Sequence, residues 1–199
     1  MRTAVKDSPT KAKLLQAAQE LVLSQGFVGT TVDDICKKTK VTKGSFFHYF
    51  DSKEELGVEL LKCYCANTKQ MLSSGCDCNE KDPLKRIYGL LDCLITMAKK
   101  SGGRGCLLGS MAQELAETHP EIRSICLKSF GELAHVLEAE LKAAKAKHKP
   151  SGAVDPVSLA EHFVVVMQGS MLISKVRNSQ TNGDGLRHYK EYLKTLFGK

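Results

Sequence analysis

No apolar run in this chain is longer than Phe163 to Met167, far short of the roughly 20 residues that a helix needs to cross a bilayer. The N-terminus, MRTAVKDSPTKAKLLQ, is polar and passes into an amphipathic pattern without the apolar centre of an export signal. A cytoplasmic protein with no membrane partner is the expectation. No stretch alternates apolar and polar residues for long enough to make a strand. Internal repeats and low-complexity tracts are missing as well. So are the signatures of common chemistry: no phosphate-binding loop, no dinucleotide glycine pattern, no HExxH and no GxSxG. A helical enzyme therefore has no motif to rest on, and no cofactor is expected.

What is present is ordinary for a folded chain. Its 199 residues suffice for one large domain or two small ones. The hydrophobic fraction of 42% and charged fraction of 26% are those of a globular protein. A net charge of +7 and a pI near 8.9 permit a nucleic-acid partner without demonstrating one. In a reducing compartment the eight cysteines read as free thiols. Cys63-x-Cys65 and Cys76-x-Cys78 raise the question of zinc. Positions two apart on a helix diverge by about 200°, however, and structural zinc normally uses CxxC; no metal is expected. His119, His135, His148, His162 and His188 are dispersed and are expected to cap or solvate helices.

The fold class expected is all-α. Leu14, Leu15, Ala18, Leu21 and Val22 recur at helical spacing between Pro9 and Gln25, with Ser8 as N-cap and Gly26 as stop. Thr30 or Thr31 caps a second, short helix with Val32, Ile35 and Cys36 on its apolar face. Thr42 caps a third, running to about Tyr49, and a long fourth begins near Asp51-Ser52. Two short helices joined tightly after a longer one make the helix-turn-helix plan.

The third helix lies in VTKGSFFHYF, residues 41–50. Phe46 and Phe50 are four apart, so they share a face and plug a small core. Lys43, Ser45, His48 and Tyr49 offer donors on the other side, and Gly44 lets the backbone come close to a surface. The stretch thus reads as a packed back with a DNA-facing front.

Thr31 to Leu56, TVDDICKKTKVTKGSFFHYFDSKEEL, resembles the DNA-binding signature of the TetR/AcrR repressors. The resemblance implies an N-terminal helix-turn-helix domain at 1–52 and a helical effector-binding and dimerisation domain at 53–199. It further implies a homodimer on a palindromic operator in double-stranded DNA, and a pocket for a small apolar ligand. Thr31 and Thr42 stand where the family contacts phosphate. Lys43 and Gly44 stand where it meets base edges, and Ser45, Tyr49 and Lys53 where it positions the backbone. Phe47 replaces a common Tyr; it cannot donate to phosphate but can touch sugar or a thymine methyl.

Further along, Pro83 opens a helix, Gly102-Gly103-Arg104-Gly105 breaks it, and Cys106 to Leu115 forms another. Pro120 opens a long helix, Lys145 to Val154 reads as a loop, and two last helices cover about Pro156–Arg177 and Leu186–Phe197. The family pairs its last two helices between subunits. Phe163, Met167, Gly169, Ser170, Met171, Tyr189, Leu193 and Leu196 are the candidates for that dimer interface. The phrase GRGCLLGSMAQEL, together with Lys175, is similar to the electrophile-responsive repressors of the N-ethylmaleimide reductase type. There a cysteine in the place of Cys106 is the sensor and a lysine in the place of Lys175 its partner. A helix start beside Arg104 favours the thiolate, the reactive form. The expected function is a repressor released from DNA by a small molecule, electrophile or oxidant. A DNA-binding architectural protein without an effector is the alternative.

Overall fold

The computed structural model describes residues 8–75, 80–100, 102–177 and 184–198. Among them are nine helices and no strand: α1 Pro9–Gln25, α2 Val32–Thr39, α3 Lys43–Tyr49, α4 Lys53–Gly75, α5 Pro83–Lys100, α6 Leu107–Leu115, α7 Pro120–His148, α8 Pro156–Val176 and α9 Asp184–Leu196. The local reasons are legible. Ser8 Oγ accepts from the Thr10 amide, and Pro9 occupies the first turn of α1. Thr31 and Asp34 form a reciprocal capping box on α2. Thr42 Oγ1 accepts from the Ser45 amide to start α3.

Packing divides the chain into two compact units. The first holds the residues up to Ala66 together with Leu107–Cys126, so α6 and the start of α7 pack with the N-terminal helices. In it α1 packs on α2 and α6, and α2 packs on α3. Leu14, Ala18, Ile35, Phe46, Phe50, Leu61, Leu107 and Met111 are buried in this unit. The second unit holds Asn67–Cys106 and the chain from Leu127 onward. Its core joins Ile87, Leu91 and Leu94 of α5, Leu137 and Leu141 of α7, Phe163 and Met167 of α8, and Tyr189 and Leu193 of α9.

One expectation needs correction. The loop expected from Lys145 is still α7 as far as His148. Alanines and lysines are strong helix formers, Ala144 is buried in the core, and the helix stops where Lys149 turns to a φ of 46°. Most of the dimer candidates are used within the subunit. Phe163, Met167, Tyr189 and Leu193 are buried within one subunit, and Met171 and Leu196 pack against the same core. The Tyr189 hydroxyl donates to the Leu159 carbonyl at 2.7 Å. Ser170 is also used internally: its Oγ accepts from the Gly185 amide at 3.3 Å, and a Cβ at Gly185 would lie 2.8 Å from Ser170 Cβ. Of the eight, only Gly169 faces open space.

The reason is that α8 is apolar on two faces. By length and composition it is apolar enough to cross a membrane. One face builds the core; the other carries Val165, Gly169, Leu172 and Val176 at intervals of four, three and four, all exposed.

Candidate functional site

The recognition face stands on two buried rings. Phe46 and Phe50 are essentially inaccessible, with centroids 5.6 Å apart. Their burial fixes the rotation of α3, a helix of seven residues too short to hold itself. Opposite them Thr42, Lys43, Gly44, Phe47 and His48 are exposed. Phe47 remains 47% accessible although its ring edge meets Phe46. An accessible phenylalanine flanked by donors is suited to a partner with apolar and polar edges, as base pairs have. A Cβ at Gly44 would touch nothing closer than Thr42 Oγ1 at 4.0 Å, so its backbone is open to close approach.

The remaining candidates are placed differently. Thr31 is exposed at the start of α2, with its hydroxyl 2.7 Å from Asp34 Oδ2. Ser45 is half-buried. Tyr49 is half-buried too, and its hydroxyl shares a hydrogen bond of 2.9 Å with Ser8 Oγ. Lys53 is turned to the protein itself. Its ammonium donates to the carbonyls of Phe27 and Thr30 at 3.1 and 3.0 Å and lies 4.6 Å from the Phe27 ring centroid. The structure thus gives Lys53 the task of fixing the α1–α2 turn.

That turn has a second clamp the sequence did not announce. Glu114 of α6 accepts from the Phe27 amide at 3.1 Å and the Val28 amide at 2.8 Å. The partners are 87 and 86 residues apart, and no spacing rule connects them. Gly26 makes the approach possible: its φ is 81°, and a Cβ there would lie 2.8 Å from Glu114 Oε1.

In the second unit, Gly102, Gly103 and Gly105 all have positive φ, and Cys106 follows directly, half-buried, at the residue before α6. The Gln168 side-chain amide donates to Cys106 Sγ at 3.6 Å. The stem of Lys175 lies over the neighbouring backbone, since a Cβ on Gly105 would sit 3.3 Å from Lys175 Cδ. Lys175, 69 positions from Cys106 by number (175 minus 106), is therefore brought against the residue that precedes Cys106. Cys63 is exposed and Cys65 half-buried on α4, whereas Cys76 and Cys78 lie outside the described residues. Among the described residues no three His, Cys, Asp or Glu side chains converge as a metal site. An open groove of about 540 Å³ lies in the first unit, lined by Phe27, Glu54, Val58, Leu115 and Ile122.

Two short helices, α2 and α3, joined by a tight turn after the longer α1, with α3 backed by buried rings and exposed in front, make the helix-turn-helix arrangement. Comparison with known proteins supplies the family. Residues 14–60 match the bacterial regulatory proteins of the tetR family, and residues 83–189 match the tetracyclin repressor-like C-terminal domain. The chain belongs to the TetR family of transcriptional regulators. It is similar to the transcriptional repressor NemR of Escherichia coli K12, with 27% identity over 188 residues and 94% of each chain covered. It is also similar to the repressor DhaR of Mycobacterium sp. strain GP1, with 24% identity covering 87% of this chain and 86% of that one. The crystal structure of E. coli NemR in its reduced form superposes with a TM-score of 0.78 at 25% identity, covering 95% of this chain and 97% of that one. A TetR regulatory protein from Rhodobacter sphaeroides superposes at 0.79 with 26% identity, covering 96% and 98%.

Proposed function

We propose that this regulator is a homodimeric repressor that binds a palindromic operator and leaves it when an electrophile or oxidant reacts with Cys106. The DNA-binding part rests on α3, whose buried Phe46 and Phe50 present Thr42, Lys43, Gly44, Phe47 and His48 outward. Lys43 and Gly44 meet base edges; Thr31, Thr42, Ser45 and Tyr49 set register on the phosphates. Lys53 acts indirectly, through the turn it holds. Two-fold symmetric α3 helices require a two-fold symmetric site. The apolar stripe Val165, Gly169, Leu172 and Val176 is the surface for the second subunit, with Gly169 allowing close approach. The working site of such a protein is the cytoplasm.

The observation that carries the signal reading is the packing of Lys175 on Gly105 beside Cys106. With N-ethylmaleimide, the thiolate adds to the activated double bond and the resulting enolate takes a proton. With hypochlorous acid, the thiolate takes the chlorine, giving a sulfenyl chloride and hydroxide. The neutral amine of Lys175 then displaces chloride, and the sulfur–nitrogen bond forms with loss of a proton. Either product adds bulk or a new bond at the start of α6 and shifts the population of DNA-competent dimers. That a similar structure is described as a reduced form is consistent with this chemistry.

The test is operator binding by wild type and Cys106→Ser, each with and without N-ethylmaleimide. Wild type is expected to lose DNA and the variant to keep it. Equal loss, or no loss by either, removes the thiol switch. A reversible apolar ligand is then the better account if any such compound releases DNA, and an architectural protein without effector if none does.

A further inference from the structure

The turn between α1 and α2 is gripped from two helices of its own unit. Lys53 of α4 holds the carbonyls of Phe27 and Thr30, and Glu114 of α6 holds the amides of Phe27 and Val28. The Thr30 hydroxyl closes the turn from within, donating to the Gly26 carbonyl at 2.6 Å. The Phe27 ring is seated so tightly that a Cβ on Gly57 would meet it at 2.7 Å and Met111 of α6 at 3.3 Å. A carboxylate taking two consecutive amides through separate oxygens fixes direction as well as distance, where one bond would leave a hinge.

We propose that Glu114 is a positioning residue for DNA binding: its carboxylate fastens α6 to the α1–α2 turn, so that the placement of α2 and α3 follows α6. This rests on the reading of α3 as the DNA-binding helix. The turn delivers the chain directly into Thr31, the cap of α2, and α3 packs on α2. A displacement of Phe27 and Val28 therefore reaches the recognition face within one short helix. At its other end α6 begins with the residue after Cys106, so the helix that holds the turn also starts beside the thiol. Glu114 touches no DNA in this scheme.

The experiment compares wild type, Glu114→Gln and Glu114→Ala with Ile122→Val, a stability control in the same unit whose side chain is buried but does not hold the turn. Three quantities are read: operator affinity, thermal midpoint, and hydrogen exchange in peptides covering residues 24–31. Glu114→Gln keeps the size and one acceptor. It is expected to speed exchange in the turn and weaken operator binding by about tenfold, the scale of one charge-assisted hydrogen bond. Glu114→Ala should weaken binding further. Ile122→Val, even with an equal fall in thermal midpoint, should leave affinity within about twofold if coupling and not stability is at stake. The proposal is overturned if Glu114→Gln binds operator as wild type does, or loses no more than Ile122→Val at the same midpoint. If wild type selects no sequence from a random DNA pool, the DNA-binding reading falls first and the proposal with it; faster exchange in the turn would then show a purely structural clamp.

Discussion

Lys43 on α3 and Asp33 on α2 form an ion pair of 2.8 Å on the face that α3 presents. The hydrogen bond to Asp33, followed by its charge, raises the Lys43 pKa. Both side chains are well exposed, so water screens the pair and it contributes little to stability. It holds the ammonium extended on the exposed side of α3. Lys43→Ala is expected to weaken operator binding by about 1–3 kcal/mol, the range for a base contact. Random DNA should suffer much less. Gel shifts on both DNAs decide: equal losses would reduce Lys43 to a phosphate contact. Asp33→Asn should tighten both modestly, because it removes a negative charge facing phosphate.

Phe50 is buried beneath the recognition helix and meets the Lys11 ammonium 5.4 Å from its ring centre. Phe50→Ala is expected to destabilise the N-terminal unit by about 3–5 kcal/mol. Operator binding should vanish while gel filtration still shows a dimer, since the second unit has its own core. A monomer in that assay would contradict dimerisation through α8.

Gly169 and Leu172 test the dimer surface directly. A side chain at Gly169 meets nothing inside the subunit, and Leu172 is 46% exposed. Gly169→Leu and Leu172→Glu should therefore leave helical content unchanged and yield monomers in sedimentation. Dimers that persist in both variants would place the interface elsewhere.

Asp82 offers a pH test in the second unit. Burial opposes its ionisation. Hydrogen bonds from His148 at 2.9 Å, Lys147 at 3.1 Å and the amides of Leu84 and Lys85 outweigh that, and hold the carboxyl well below its usual range. A depressed folded-state pKa stabilises fully above the unfolded value of about 3.9 and is lost as pH falls below it. Thermal unfolding at pH 6 and pH 3 should show a larger loss for wild type than for Asp82→Asn. Parallel losses would mean that the ion pairs of Asp82 contribute nothing net.

The helix-turn-helix was legible because its signals are local. Ser8, Thr31 and Thr42 cap within three residues of the amides they serve, and Phe46 and Phe50 declare a face by spacing alone. Which side of α8 meets its own subunit is not legible in the sequence, because the helix is apolar on two sides: periodicity shows that Phe163 and Val165 are apolar, and only packing separates the buried ring from the exposed valine. The contacts of Lys53 with its own chain are not legible either, because spacing cannot reveal the Phe27 and Thr30 carbonyls, 26 and 23 residues away. Glu114 lies in GRGCLLGSMAQEL, yet its partners appear only once α6 packs on α1. Cys106 and Lys175 were paired by resemblance alone; the structure adds a physical link through Gly105.

Gly105 itself has a consequence in the genetics of the protein. Its φ of 84° is one that residues with a Cβ rarely adopt, and a Cβ there would lie 3.3 Å from Lys175 Cδ. Every amino acid reachable from a glycine codon by a single base change carries a Cβ. A missense mutation at codon 105 therefore strains the backbone and crowds the lysine stem at once. A selection for alleles that keep the operator silent in the presence of electrophile should recover codon 105 alongside the codons for Cys106 and Lys175.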